Sequence, residues 1–432
     1  MKGLSISSIR NGDRLAVLMP GLGAVATTAI AGIHAVQRGL AKPVGALTQL
    51  GHIVEEDGRP GPRLDRILPM ASLEDLVFGA WDPVPDDAYQ ASLRANVLDR
   101  YLIEQLRPGL EAIRPMPAVF DKAFVRRLDG PNVKHGSMRA RAEALCADMR
   151  GFLEKHRCSR GIVIWTGSTE VYVESGPAHR NLKAFEEALD ANDPTIAPSM
   201  IYAWAAMKCR MPFVNGAPNL SADIPALREL AEREAVPTAG KDFKTGQTLM
   251  KTALAPMLQA RLLGLQGWFS TNILGNRDGE VLDDERAFKT KEVSKLGVLK
   301  EILDPAYNPE LYSDIEHKVT IHYYPPRGDN KEGWDAIDIF GWLGYPMQIK
   351  INFQCRDSIL AAPLVLDLAL LTDVARRAGE VGPQEWLSFF FKSPVTAPGR
   401  QAVHNLFAQQ ATLHRQLRRY AHVAGASTAA VG

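Results

Sequence analysis

The sequence predicts an α/β fold in two parts: a doubly wound parallel sheet, interrupted by an α+β unit with a mixed sheet. Three observations carry this. Short apolar runs without alternation recur at residues 14–19, 75–82, 161–165, 212–216 and 236–240, as strands buried on both faces require. After residue 249 the pattern changes to period two, at residues 318–324 and 348–354, which means one differently packed face and a separate sheet. A long apolar helix, residues 357–378, then returns the chain to the first part. The expected units are 1–248, 249–362 and 363–432.

The totals agree with a soluble globular chain. There are 432 residues, 46% hydrophobic and 23% charged, enough for a large core and two or three domains. A net charge of +1 argues against nucleic-acid or membrane partners recognised by bulk charge. Cys146, Cys158, Cys209 and Cys355 are far apart and form no Cys-x-x-Cys pair, so a thiolate metal site or disulfide framework is not expected. Residues 1–13 lack a signal-peptide apolar core. The apolar run 359–371 is short and carries Asp367, which fits a buried helix. These features point to the cytoplasm.

The first run leads into Pro20-Gly21-Leu22-Gly23-Ala24-Val25-Ala26, and a helical pattern follows to about Arg38. In this strand–turn–helix context, glycines let the backbone turn tightly and approach a pyrophosphate, and the helix start offers N–H groups. A plain tight turn in a βαβ unit is the competing explanation. A second strand is expected near residues 44–50, but it lacks the usual acid for a ribose. Asp82, at the end of the next apolar run, either supplies that acid or is a turn residue before Pro83.

Residues 84–150 look helical and charged, a decorating insertion without a chemical motif, with His135 on the surface. The strands at 161–165 and 212–216 end in Thr166-Gly167 and Asn215-Gly216. In an open parallel sheet ligands lie beyond such strand ends, which makes these four residues candidate cofactor contacts.

The densest chemistry lies between Lys241 and Lys295. Thr245-Gly246-Gln247-Thr248 precedes a helix expected at 249–263; it suits an anion-binding helix start or an ordinary N-cap. Asn272 to Gly279 ends a strand with polar groups, and Asn276-Arg277-Asp278-Gly279 is also good turn chemistry. Lys291 and Lys295 share a helix face, where like charges cost a few tenths of a kcal/mol unless solvated or met by an anion. Downstream, Asp329-Asn330-Lys331 falls in a Gly-rich loop, Asp357 follows a strand, and Lys392 follows three phenylalanines. A lysine against an apolar wall loses proton affinity and can serve as an acid or base; a snorkelling surface lysine is the alternative.

Asp242-Phe-Lys244-Thr-Gly-Gln-Thr, Asn272-x-Leu-Gly-Asn276-x-Asp278-Gly, Lys291-Glu-Val-Ser-Lys295, Cys355-Arg-Asp357-Ser and Phe391-Lys392-Ser-Pro occur in this order. Together they resemble the myo-inositol-1-phosphate synthase (inositol-3-phosphate synthase) family, from about Arg14 to about Gly399. The resemblance implies a Rossmann-type NAD-binding domain interrupted by a catalytic and tetramerisation domain. It also implies a redox-neutral conversion of D-glucose 6-phosphate to an inositol phosphate. By position it makes Lys291, Lys295, Lys331 and Lys392, with Asp242, Asp278 and Asp357, catalytic. Thr245, Gly246, Gln247 and Asn276 would cradle the substrate phosphate. Gly21, Leu22, Gly23, Ala24, Val25, Asp82, Thr166, Gly167, Asn215, Gly216, Asp329 and Asp357 would contact NAD. It further implies a homotetramer, glucose 6-phosphate as the small-molecule partner, and a cation of unknown identity. Neither nucleic acid nor membrane is an expected partner.

The chain departs from the family pattern in places. Its Gly21–Thr28 loop lacks the glycines and asparagines of many relatives, Ile273 and Arg277 stand where eukaryotic relatives commonly have His and Asn, and Thr245 replaces a usual Ser. Two other functions remain open: a conventional NAD-dependent sugar-phosphate dehydrogenase, and a non-catalytic binding protein on the same fold. The first would release NADH steadily; the second would bind NAD and turn nothing over.

Overall fold

A computed structural model describes residues 6–7, 12–55, 57–275 and 298–429. The strands are β1 (Arg14–Pro20), β2 (His52–Val54), β3 (Pro60–Arg63), β4 (Leu76–Trp81), β5 (Cys158–Trp165), β6 (Phe213–Asn215), β7 (Pro237–Gly240), β8 (Gly264–Leu274), β9 (Glu316–Tyr323), β10 (Asn330–Phe340), β11 (Pro346–Arg356) and β12 (Gly382–Pro383). The main helices are α1 (Ala24–Gln37), α2 (Ala88–Ala95), α3 (Arg100–Glu111), α4 (Met138–His156), α5 (Leu182–Ala191), α6 (Pro198–Lys208), α7 (Pro225–Arg233), α8 (Gly246–Ala260), α9 (Asp357–Arg377) and α10 (Leu406–Ala429).

Six strands form one sheet in the order β12-β7-β6-β5-β1-β4, and every neighbouring pair is parallel. Both faces are covered. On β1, Leu15, Val17 and Met19 enter one apolar core and Ala16 and Leu18 the other; on β5, Ile162 and Ile164 oppose Val163 and Trp165. This two-sided burial is why these strands read as continuous apolar runs. Helices α1, α3 and α9 fill the first core and α4, α6 and α7 the second. Among the described residues α9 alone is long and apolar enough to cross a membrane, but 78% of that window is buried inside the fold.

β8–β11 form the second sheet, ordered β11-β10-β8-β9, with β8 and β9 parallel and the other pairs antiparallel. Helix α8 packs on it through Ala255 and Leu258, against Leu265, Trp268, Ile337 and Ile339. The fold is therefore the expected doubly wound α/β sheet with a mixed second sheet.

Three local expectations change. Residues 44–50 are no strand: Gly45 adopts a positive φ, and Leu47–Leu50 is one helical turn whose first N–H groups are taken by buried Asp367 on α9. β2 then leaves the parallel sheet and pairs with β3, so β4 is the strand beside β1. Residues 84–150 are not decoration, because Ile103, Leu106 and Leu110 of α3 cover one sheet face and Leu145 and Met149 of α4 the other. Lys331 stands on β10, within a strand rather than a Gly-rich loop. The last helix starts at Leu406, where the Asn405 carboxamide accepts from the N–H groups of Phe407 and Ala408.

Candidate active site

The parallel sheet switches direction between β4 and β5, which flank β1 on opposite sides. At such a switch the loops after adjacent strands part and leave a crevice. Here the loops are Gly21–Gly23 after β1 and Thr166–Gly167 after β5. They are tied together: Thr166 donates its N–H to Pro20 O (3.1 Å) and its hydroxyl to Gly21 O (2.8 Å). Gly21 has φ +92°, and a Cβ there would lie 2.4 Å from the Gly167 Cα, so only glycine fits. Leu22 turns its side chain into the core, and its N–H donates to Asp82 Oδ2 at 2.8 Å. The second Asp82 oxygen accepts from Val84 N–H. Asp82 is thus both the acid ending the strand beside β1 and the brace of the glycine turn.

Gly23 is different. A Cβ there would meet no protein atom within 4 Å, and no side chain caps α1. The first-turn N–H groups of a helix lack intrahelical acceptors. An uncapped helix start facing open space fits a pyrophosphate. Gly23, Thr166 and Gly167 border two adjoining clefts. One, about 640 Å³ including open solvent, has apolar walls from Val119, Phe120 and Leu128 and passes Asp82. The other, about 880 Å³ on the same basis, runs past Ala24, Val25 and Gly216 to Asp242, Thr245, Asp357 and Lys392. The two clefts meet at Gly23, Thr166 and Gly167, one bounded by apolar walls and the other by Asp242 and Lys392. Asn215 does not reach the cleft; its carboxamide is spent on Ala217, Asn219 and Ser221, shaping the loop that follows.

The second cleft is closed by a chain return. Residues 240–244 and 390–395 bind each other: Lys241 N–H to Ser393 O, Ser393 N–H to Lys241 O, Lys392 N–H to Asp242 O (2.7 Å), Lys244 N–H to Phe390 O. Phe243 and Phe391 stack across this ladder at 6.3 Å. The ladder delivers Lys392 to Asp242, Nζ to Oδ1 3.1 Å, both side chains almost wholly buried. Asp242 holds φ +63°, a left-handed conformation that costs an aspartate about 1 kcal/mol and is imposed here by the surrounding bonds.

A second acid–lysine pair comes from the mixed sheet. Lys331 opens β10, opposite Cys355 at the end of β11, and α9 begins with Asp357. Lys331 Nζ lies 3.2 Å from Asp357 Oδ2. Ser358 donates to Asp329 Oδ1 at 2.8 Å. Burial, with Asp357 adding to it, pushes the Cys355 thiol up to about 11, so it stays protonated beside the lysine.

Helix α8 starts against this pair. Gly246 has φ +54°, and a Cβ there would lie 3.7 Å from Lys331 Nζ. No side chain caps the helix at Thr245, which lines the second cleft together with Lys392. Gln247 points the other way. Its carboxamide donates to Thr271 O (3.0 Å) and Asp335 Oδ2 (3.2 Å), and accepts from Asn272. Only its backbone faces the helix start. Asp335 also accepts from Trp268 Nε1 and Ser270 Oγ, so a buried polar network anchors α8 to the sheet.

Asn276, Asp278, Lys291 and Lys295 lie outside the described residues. Among the described residues no group of three or more His, Cys, Asp or Glu could hold a metal ion. Sequence reasoning missed the apolar wall at 118–128, whose signal was the short run Ala118-Val119-Phe120 inside a charged stretch. It also missed Ser358, and it gave no role to Lys244 and Lys251. Burial lowers Lys244 to about 7 and Lys251 to about 8; they contact Gln409 and His317 respectively, away from the cleft.

Comparisons with known proteins find relatives over most of the chain. The family model described as Myo-inositol-1-phosphate synthase matches residues 15–418. The chain is 53% identical over 408 residues to inositol-3-phosphate synthase 1 of Bacteroides thetaiotaomicron, covering 94% of this chain and 95% of that protein. It is 34% identical over 400 residues to the Homo sapiens inositol-3-phosphate synthase 1, covering 87% and 70%. The crystal structure of inositol-3-phosphate synthase from Caenorhabditis elegans superposes with TM-score 0.88 at 30% identity, covering 95% of this chain and 86% of that one. With its switch-point turn and its two acid–lysine pairs, the chain belongs to the myo-inositol-1-phosphate synthase family.

Proposed function

We propose that this protein is an NAD-dependent isomerase that converts D-glucose 6-phosphate to 1D-myo-inositol 3-phosphate without net redox change. The observation that carries this reading is the cleft lined by the Lys392–Asp242 pair and by Asp357, the partner of Lys331, which also receives the α1 and α8 helix starts. A dehydrogenase needs one base at the oxidised carbon. A cyclisation also needs cations where enolate and alkoxide charge develops.

The Gly21–Gly23 turn, Thr166, Gly167 and Gly216 would hold NAD, which would supply reversible hydride storage at C5. Everything else falls to the chain. Lys392, buried against Asp242, takes the C5 hydroxyl proton and later gives it back; Lys291 shares this role. Asp242 sets which proton-transfer partner Lys392 faces. The substrate phosphate rests on the N–H groups at Thr245–Gln247, with Asn276 alongside. Lys331 and Lys295 offset charge on the phosphate and on the C1 oxygen as C6 attacks C1. Asp278 orients the substrate hydroxyls. The phosphate itself removes the C6 proton. Asp329 and Asp357 position Ser358 and Lys331 beside the nicotinamide end, and Asp82 serves the ribose with its remaining lone pairs. A cation, if the reaction uses one, enters with the phosphate.

A cytoplasmic homotetramer belongs to the same proposal. Four free cysteines fit a reducing compartment. Trp342, Leu343, Tyr345 and Met347 are exposed at one end of the mixed sheet, a surface suited to another subunit. The test is direct. Glucose 6-phosphate with NAD should give a phosphatase-labile inositol phosphate with no stoichiometric rise in NADH absorbance. Steady NADH release without a cyclitol would instead establish the dehydrogenase, and an inert NAD complex the binding protein.

A further inference from the structure

A second concentration of positive charge lies on the opposite side of the parallel sheet. At the N-terminal ends of β5 and β6, a cavity of about 1100 Å³ including open solvent is lined by Arg160, Arg210, Arg376 and Arg377, with Asp373 and Ser159. Both oxygens of Asp373 are committed, to Arg160 Nε at 2.8 Å and Arg377 Nε at 2.9 Å. Arg210 keeps a loose rim pair with Glu234 at 3.4 Å. Among the described residues Arg160 Nη2 is buried without a hydrogen-bond partner, and Arg376 has no ion pair. Burial and the neighbouring Arg210 both weaken the hold of Arg376 on its proton.

A structural explanation covers part of this. Arg376 and Arg377 end α9, where cations suit the helix dipole. It does not account for Arg160 on a strand or Arg210 on a loop, nor for their facing one cavity. Four guanidiniums face three carboxylates, Asp373, Asp13 and Glu234, which among the described residues leaves Arg160 Nη2 and the Arg376 guanidinium as spare donors. These approach from several elements rather than as one fork, which suits an anion with oxygens in several directions.

We propose that this cavity is a second anion site that binds a small phosphate-bearing molecule and is separate from the catalytic cleft. It touches no residue of that cleft. Asp373 and Asp357 stand on the same helix, sixteen residues and roughly 25 Å apart. The ligand is a di-anion or higher, either free phosphate or a phosphate ester.

Calorimetric titration of the NAD-loaded enzyme with inorganic pyrophosphate is the test, run on wild type and on Arg210→Gln/Arg376→Gln. The double variant should weaken pyrophosphate binding at least about tenfold, the value of a lost charge-assisted bond. The KM for glucose 6-phosphate should be unchanged. Parallel competition by inorganic phosphate and by glycerol phosphate distinguishes the free ion from the ester. Arg376→Gln should also keep or raise the anion-free melting temperature, because it relieves repulsion. Unchanged pyrophosphate binding in the double variant would overturn the proposal. So would a fall in anion-free melting temperature, which would make Arg376 a structural strut.

Discussion

The molecule contains two uncapped helix starts, and they are built differently. At α1 the chain offers backbone alone: Gly23 faces open space, Asp82 braces the turn, and among the described residues no lysine lines the cleft that Gly23 shares with Asp82. At α8 the same kind of start is met by Lys331 and flanked by the Lys392–Asp242 pair. Both suit a phosphate. Only the second is equipped to move protons and to balance charge that appears during a reaction. One start holds a group that stays put, and the other holds a group beside the atoms that change.

That contrast is open to attack by substitution. Lys392→Ala should have the largest effect, lowering turnover about 10²- to 10⁴-fold while NAD affinity stays near wild type, measured by steady-state kinetics and by NAD titration. Equal loss of both would erase the distinction between the two helix starts. Gly23→Val should raise the NAD dissociation constant about 100-fold by filling the space a pyrophosphate needs. Its melting temperature should change little, since the added carbon meets no protein atom. Lys331→Ala should raise the KM for glucose 6-phosphate about 10- to 100-fold, the worth of a charge-assisted contact, and leave NAD binding alone.

The smallest effect concerns stability. Lys244 is lowered by burial from an ordinary 10.5 to about 7. Between those values the unfolded chain binds more protons than the folded one, so stability rises with pH across that window, at most about 1.4 kcal/mol per unit. Denaturant unfolding of Lys244→Met should lose this slope with turnover retained. A variant that keeps the slope would place it on another group.

Much of this was legible in the sequence because the parallel strands are buried on both faces, and continuous apolar runs are hard to mistake. The glycine turn was legible because strand, turn and helix follow one another directly in the sequence, although the backbone that Gly21 must clear, Gly167, comes from a distant strand end. β10 was not legible. In its first residues, Asn330-Lys331-Glu332-Gly333, Lys331 turns toward the site and Gly333 makes room for Gln247, while Glu332 pairs with Arg327, so local propensity takes them for a loop. Gln247 misled in the opposite sense: a carboxamide beside a helix start looks like a phosphate ligand, but Asp335, some ninety positions later, draws it into the sheet. The meeting of Asp242 with Lys392 depends on a backbone ladder between segments 150 residues apart, which spacing alone cannot reveal.

The central claim is that the hydride removed from the sugar returns to the same carbon. Glucose 6-phosphate carrying deuterium at C5, turned over with unlabelled NAD, tests it most directly. The expected product is an inositol phosphate that keeps its deuterium at the carbon derived from C5, with none accumulating in free NADH. Deuterium appearing in released NADH, or washed out of the product, would contradict the account.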